Sequence, residues 1–386
     1  MSWGKIEIGE ICDVGRGSSP RPIDNSAYFI GGTIPWIKIA DATASGKYIY
    51  QTKEVVNDFG ASFSRRLQAG DLIIATSGVS LGQIKLLGVE GCIHDGWLYV
   101  NNFRGIDKEF LYYHLLTMQE EFLGRAYGAA IQNINTTILR ESKINFPPLP
   151  TQRKIASILS AYDDLIENNF KRIKLLEEKA FLRYKGIVQS EILEEFTIDE
   201  VSETSGGGTP STANRQFWDE GEILWFSPTD LTKHNSIVLL NSEKKITELG
   251  LQKSSAKLFP PKTILMTSRA SIGYFGLINR PASTNQGFIN IIPHHEYYRA
   301  YMLFDLKNRK EEIIGNANGA TFLEISKGKF RQMKIKLPKD EKVLIDFENE
   351  FEIQFNLIEN LLKQNSKLRE ARDILLPKLI SGQIEI

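Results

Sequence analysis

Between Leu149-Pro150 and about Gln189 the chain runs for almost forty residues without a further proline, and its one glycine, Gly186, comes near the end. Apolar residues recur along it at Ile155, Leu159, Tyr162, Ile166, Ile173, Leu176 and Ala180, with Asn169 standing in the same row. Alternating steps of four and three over this length predict a coiled-coil helix from Gln152 to about Gln189. At 1.5 Å per residue such a helix is roughly 50 to 55 Å long, wider than a small domain. It cannot bury that seam by itself. A partner helix is required.

The chain repeats itself, and the repeat supplies the partner. In the first half, Lys5 to Ile11 leads through Gly-Arg-Gly-Ser-Ser-Pro20 into the strand-like run Thr33 to Asp41. Leu67 to Ser77, Ile84 to Val89 and Gly96 to Val100 continue the β pattern, and Glu109 to Leu123 has helical spacing. The same order restarts after the long helix. Phe196 to Val201 matches Ile6 to Ile11, and Gly-Gly-Gly-Thr-Pro210 matches the Gly15 to Pro20 turn. Trp225 falls over Trp36, Asp230 over Asp41, Thr267-Ser268 over Thr76-Ser77, and Leu337-Pro338 over Leu149-Pro150. The offset stays between 188 and 192, so the chain is a tandem duplication.

The second long helix is then expected at about Glu341 to Leu376, with the seam Leu344, Phe347, Phe351, Gln354, Ile358, Leu361, Asn365, Leu368, Arg372 and Leu375. Each helix carries one seam asparagine, Asn169 and Asn365. Setting them opposite each other in an antiparallel pair also brings Ile166 to Leu368, Ile173 to Leu361 and Leu176 to Ile358. A buried Asn pair costs stability but fixes register.

Length and composition agree with several domains. At 386 residues the chain exceeds one ordinary core, and 42% apolar with 24% charged residues is the balance of a globular protein. No apolar run reaches a membrane span, no secretory leader is visible, and two cysteines build neither a disulfide framework nor a four-ligand zinc site, so a cytoplasmic chain is expected. Net charge is zero, although residues 196–340 carry an excess of basic side chains and 341–386 of acidic ones. Nucleic-acid binding would therefore rest on local basic patches.

Enzyme motifs are thin. Gly78-Val-Ser80-Leu-Gly82 matches the G-x-S-x-G nucleophile elbow, which would make a serine hydrolase using Ser80. That motif needs a helix after the turn, whereas Gln83 to Gly88 reads as β; its repeat copy, Arg269 to Gly273, lacks the first glycine. No phosphate-binding loop occurs, and the histidines show no metal-ligand spacing. What remains is polar, turn-rich and repeated. In the first half these residues are Ser18, Ser19, Lys38, Asp41, Thr76, Ser77, Gln83, Lys85, Gln132 and Asn133; in the second, Thr209, Ser227, Thr229, Lys233, Thr267, Ser268, Arg269 and Asn285. Such side chains read base edges and phosphates. They also cap turns and strand ends, and both readings stay open. Trp36 and Trp225 read as core anchors.

As an ordered set, the duplicated Gly-Thr-Pro210 and Ser-Ser-Pro20 turns, the Ile-Pro-Trp36 strand, Gln152-Arg-Lys-Ile-Ala156 after the proline stop and Leu375-Leu-Pro-Lys-Leu-Ile-Ser-Gly382 resemble the specificity subunits of type I restriction-modification systems. The resemblance covers the whole chain. It implies an α+β architecture: two α/β target-recognition domains, 1–150 and 194–338, separated by two long helices, 151–193 and 339–386, that form an antiparallel coiled coil. It implies a non-catalytic subunit in which each domain binds one half of a split double-stranded DNA target and the helices set the spacer. Two methyltransferase (modification) subunits would dock on it, and restriction/translocase subunits would join the full complex. S-adenosylmethionine and ATP are expected on those partners. The alternatives are a coiled-coil scaffold that reads no bases, or the Ser80 hydrolase.

Overall fold

A computed structural model of the chain describes residues 3–43, 45–76, 80–127, 133–234, 236–319 and 323–386. The chain forms two compact units, Met1–Glu167 with Ser366–Ile386, and Asn168–Asn365. Each long helix, Leu149–Ser190 and Glu341–Ile380, therefore contributes one part to each unit. The first starts three residues earlier than its periodicity indicates, because Pro150 sits in the opening turn, where a missing N–H costs nothing. The second runs past Pro377, three residues before its end; the proline forfeits one bond there, to the carbonyl four residues back, and the helix stops a turn later.

In the first unit, β1 (Lys5–Glu7) pairs antiparallel with β11 (Lys143–Asn145). A five-stranded sheet has the order β2 (Asp13–Arg16), β10 (Trp97–Asn101), β7 (Leu72–Ala75), β8 (Ile84–Leu87), β4 (Tyr48–Ile49). A second sheet has the order β5 (Glu54–Val56), β3 (Ile34–Ile37), β9 (Gly91–Ile93), β6 (Arg65–Leu67). All are antiparallel except β4 with β8 and β3 with β9.

The second unit repeats the plan. Here β12 (Leu193–Thr197) pairs with β21 (Lys334–Pro338). The large sheet is β13 (Ser202–Gly206), β20 (Phe288–Pro293), β17 (Ile264–Thr267), β18 (Phe275–Ile278), β15 (Val238–Leu239). The small one is β16 (Lys244–Ile246), β14 (Ile223–Phe226), β19 (Ala282–Thr284). An isolated antiparallel bridge from Phe259 to Ala282 replaces β6. The hydrogen-bond plan is thus duplicated along with the sequence.

Local structure departs from the periodicity where side chains cap the backbone. The Lys5 to Ile11 run breaks at Glu7, which opens the short Ile8–Ile11 helix through a reciprocal pair of bonds with Glu10. The Thr33 to Asp41 strand ends at Ile37, because the Asp41 carboxylate takes the Lys38 N–H at 2.8 Å and a helix, Ile39–Thr43, starts. The helix expected over Glu109 to Leu123 is two helices, Lys108–Thr117 and Gln119–Tyr127.

The helix seam is buried in both units. Ile155 and Leu159 enter the first unit's core with Leu376, Leu379 and Ile380. In the second unit Ile173, Ala180, Tyr184 and Ile187 pack in one cluster with Phe347, Phe351, Ile358 and Leu361. There the two helices run antiparallel, since Asn169 meets Asn365 and Arg183 meets Glu350. The Asn169 Nδ2 donates to Asn365 Oδ1 at 2.9 Å, with both residues buried.

Polar bolts hold strands and shorter helices of each unit to the first long helix. In the first unit the Lys47 ammonium, almost wholly buried, donates to Glu109 at 3.0 Å and to the Ser160 hydroxyl at 2.9 Å on the long helix. Tyr113 donates to Asp163 at 2.6 Å, and Asp163 pairs with Arg372. In the second unit Ile237 holds the register position of Lys47; its N–H donates to Glu177 at 2.8 Å, and the neighbouring Ser236 hydroxyl donates to the same carboxylate at 2.8 Å. Tyr184 donates to Asp305 at 2.9 Å. The same β4/β15 approach thus fastens to the first long helix in both halves, with unlike chemistry.

Two outcomes follow. Asn169→Leu strips the hydrogen bond from the buried Asn365 amide and should cost roughly 1–3 kcal/mol in chemical denaturation, while Asn169→Leu/Asn365→Leu recovers most of it. The second concerns His114, whose Nε2 accepts the Asn145 N–H at 2.9 Å. Burial pushes its pKa down to about 4, from an ordinary value near 6.5. The unfolded chain takes up the proton that the folded chain refuses. Stability is then full above about pH 6.5 and falls by on the order of 3 kcal/mol as pH drops toward 4. His114→Gln should flatten the pH dependence of the denaturation midpoint by about that amount.

Candidate nucleic-acid interface

The register of the large sheets brings separate loops to one sheet end. In the second unit Gly206 lies opposite Ile289, Thr267 opposite Phe288 and Met266 opposite Phe275. The loops 207–212, 268–274 and 285–287 therefore emerge side by side. In the first unit Arg16 is next to the Leu98 to Trp97 start of β10, and Ala75 is opposite Trp97. Segments 17–20 and 94–96 emerge there, together with Thr76 and residues 80–83 at the two described ends of the β7 to β8 connection.

Glycine makes the close approach possible. A Cβ on Gly17 would stand 2.1 Å from the His94 carbonyl oxygen, and one on Gly207 would stand 2.2 Å from that of Thr284. In both halves the turn facing this loop is closed the same way. His94 Nδ1 accepts the Gly96 N–H at 2.8 Å, and Asn285 Oδ1 accepts the Gly287 N–H at 2.8 Å. Ser19 donates to the Asp95 carboxylate at 3.0 Å, and Thr209 donates to the Gln286 amide oxygen. Burial pulls the Asp95 carboxyl up, but the Ser19 bond and the Arg21 charge outweigh it and hold it below the usual range.

The polar residues picked from the sequence divide into those at this sheet end and those used inside the fold. Asp41 is 4% exposed and its oxygens accept the Lys38 and Lys53 N–H groups. Asp230 repeats this with Ser227 and Glu243, so Ser227 is a helix cap. Lys38 pairs with Glu54 at 2.6 Å. Lys85 donates to the Ser45 and Gly46 carbonyls, and burial lowers its pKa to about 8. Thr76 and Thr267 are fully buried, their hydroxyls donating to Gly96 and Ser271, and Ser268 is bound through its backbone to Gly287 and Ile325. Thr229 and Lys233 lie exposed on the Pro228–Lys233 helix.

At the sheet end itself stand Ser18, Ser19, Gln83, Asn133, Thr209, Arg269 and Asn285. The side-chain oxygens of Gln83 and Asn133 are buried without a hydrogen-bond partner among the described residues. Ser77 and Gln132 lie outside the described residues, as do Gly78 and Val79 of the G-x-S-x-G match. Ser80 is followed by β8, so the surroundings are strand, turn and strand, where a nucleophile elbow needs a helix.

Apart from Arg269, sequence reading missed the cations that gather here. In the second unit Lys257 donates to Ser205 at 3.0 Å, and the Lys327 ammonium would be 3.1 Å from a Cβ on Gly206. Arg269 borders Gly287, and Lys310 lies 4.1 Å over the Tyr274 ring. Among the described residues none of these four makes an ion pair. In the first unit Arg16 donates to the Asp95 carbonyl and Arg65 stacks on Tyr99. Lys257 and Lys327 lie some fifty to one hundred and twenty residues from the glycine loop in sequence, so spacing carried no sign of them. An uncompensated basic patch around exposed amide and hydroxyl groups suits a polyanion with hydrogen-bonding edges.

The chain belongs to the type I restriction-modification DNA specificity family. The model of the type I restriction modification DNA specificity domain matches it twice, over residues 1–178 and 191–367. The MjaIX specificity subunit of Methanocaldococcus jannaschii is 36% identical over 45% of this chain; the alignment spans 40% of that relative's length. The HindI specificity subunit of Haemophilus influenzae is 21% identical over 99% of both chains. Among solved structures, a type I restriction-modification S subunit from M. genitalium superposes with a TM-score of 0.57 at 17% identity, covering 98% of this chain and 96% of the other. That likeness is one of fold.

The close approach of the glycine loop gives a test. Gly207→Ala forces backbone apart and should cost about 1–3 kcal/mol in denaturation. Gly186→Ala, in the long helix with open space around it, should stabilise by up to about 1 kcal/mol.

Proposed function

We propose that the chain is the DNA-reading, non-catalytic subunit of a type I restriction-modification complex, working in the cytoplasm. Each unit's sheet end contacts one block of a split duplex target. The observation that carries this is the duplicated sheet end: two copies of one loop scaffold, built from one hydrogen-bond plan, carry different side chains at equivalent places. Asn285 and Gln286 stand where the first half has His94 and Asp95, and the second half is the more basic. Copies of one scaffold with unlike surfaces suit two unlike short sequences.

The long helices join the two readers in sequence, and each further heptad would add roughly 10 Å to their separation. They also offer apolar surface. Leu175, Leu182 and Ile353 in the second unit, and Leu165 and Ile374 in the first, are each more than half exposed. Two methyltransferase subunits covering such residues, followed by restriction/translocase subunits, fit this reading. The chemistry would then lie on the partners, which bind S-adenosylmethionine and extrude the target adenine from the duplex. The scaffold alternative has no use for the four uncompensated cations at the second sheet end.

Exchange of residues 1–150 for the same segment of a relative with a different target tests the assignment. Methylation by the reconstituted complex should change in one block of the target and keep the other. An unchanged methylated sequence contradicts it.

A further inference from the structure

Beyond the loops already described, the second unit has a cleft of about 320 Å³ lined by Thr212, Trp218, Lys244 and Lys245. Its floor is aromatic. Trp218 packs edge-on against the buried Trp225, with ring centroids 5.1 Å apart and planes at 86°. Both indole N–H groups are used by the glycine loop: Trp225 donates to the Gly208 carbonyl at 2.9 Å and Trp218 to that of Ser211 at 3.0 Å. The Trp218 ring therefore offers surface and no polar atom. Lys244 reaches over it, its ammonium 5.8 Å from the centroid. Lys244 and Lys245 are exposed, and among the described residues neither makes an ion pair.

The first unit has a like framework in which the charge is neutralised. Phe29 packs on Trp36 at 5.2 Å, as Trp218 packs on Trp225. Strand register sets Lys244 opposite Trp225, and it sets Glu54 opposite Trp36. Glu54 is neutralised by Lys38 at 2.6 Å. Among the described residues, the first unit's aromatic pair carries no such pair of lysines free of ion pairs, since Glu54 and Val55 stand where the second unit has Lys244 and Lys245. The second unit's cleft adjoins the recognition loops, because the segment that starts at Gly206 beside Lys257 and Lys327 ends at Thr212 in the cleft.

We propose that this cleft is a DNA-backbone anchor: Lys244 and Lys245 hold phosphates of the duplex beside the block read by the second unit, and a deoxyribose packs on the Trp218 ring. This rests on the DNA-reading function above. The contact is with backbone, so it strengthens binding to every sequence equally. Two lysines facing phosphates release about two counterions when DNA binds.

The test uses the full-length chain with a fluorescent duplex of random sequence, titrated over a range of salt. Lys244→Gln/Lys245→Gln should weaken binding and make the slope of log K against log salt shallower by about 2, with Lys244→Arg/Lys245→Arg restoring it. Duplex should also change the tryptophan emission of the parent chain, and Trp218→Phe should remove that change. A slope unaltered by the glutamine variant overturns the anchor, as does emission that responds equally to inorganic phosphate alone. The partner complex separates the two levels. If the glutamine variant methylates the same split sequence with the parent's salt dependence, the anchor falls and the DNA-reading function stands. If the parent complex methylates no split sequence, the function itself falls.

Discussion

Everything in this chain depends on burying the apolar seam of the Leu149–Ser190 helix. A seam of Ile155, Leu159, Ile166, Ile173 and Ala180 has no stable existence in water, and the covering surface comes from the same chain. Burial of each isoleucine or leucine in it is worth about 1.5–3 kcal/mol, and the duplication ensures that a second seam of matching phase is present. Asn169 is the exception in that row. Its amide is desolvated and must find a partner, and Asn365 accepts its hydrogen bond at 2.9 Å. A shift of either helix by a heptad would place an amide against hydrocarbon. The pair trades stability for a single register.

Register matters because the sheets are bolted to the helices by groups that cannot slide. Lys47 is nearly buried, and its charge is matched only where Glu109 and Ser160 meet it. Helices are tied together in the same way: buried Arg299, on the Arg299–Asn308 helix, pairs with Glu348 and, at 2.8 Å, with Glu352 on the second long helix. Breaking such a pair from one side costs about 3–5 kcal/mol, since the remaining charge stays desolvated. The loops at the sheet ends, by contrast, hold their shape with glycine contacts and single side-chain caps, which leaves neighbouring positions free to vary in charge.

Much of the fold was legible in the sequence, and the reason is periodicity. The duplication, both long helices and the Asn169 and Asn365 positions all follow from spacing, which is local information. Boundaries set by capping were less legible: Glu7 and Glu10 turn a strand-like run into a helix, and Asp41 does the same after Ile37. The site was legible only in part. Thr209, Arg269 and Asn285 do stand at the second sheet end, but Asp41, Ser227 and Lys85 looked alike on paper and are engaged with the backbone. What separates the two groups is the set of neighbours across the sheet, and that set is a property of the folded chain. Lys257 and Lys327 went unnoticed for the same reason, as did Trp218, whose partners Trp225 and Lys244 come from different strands.

The central claim is that two unlike readers in one chain recognise a split target. A genome-wide map of adenine methylation in cells carrying this chain with its modification partners tests it most directly. The account predicts one methylated motif made of two short defined blocks separated by a spacer of constant length and unspecified sequence. A motif that is contiguous, or two blocks whose separation varies from site to site, would contradict it.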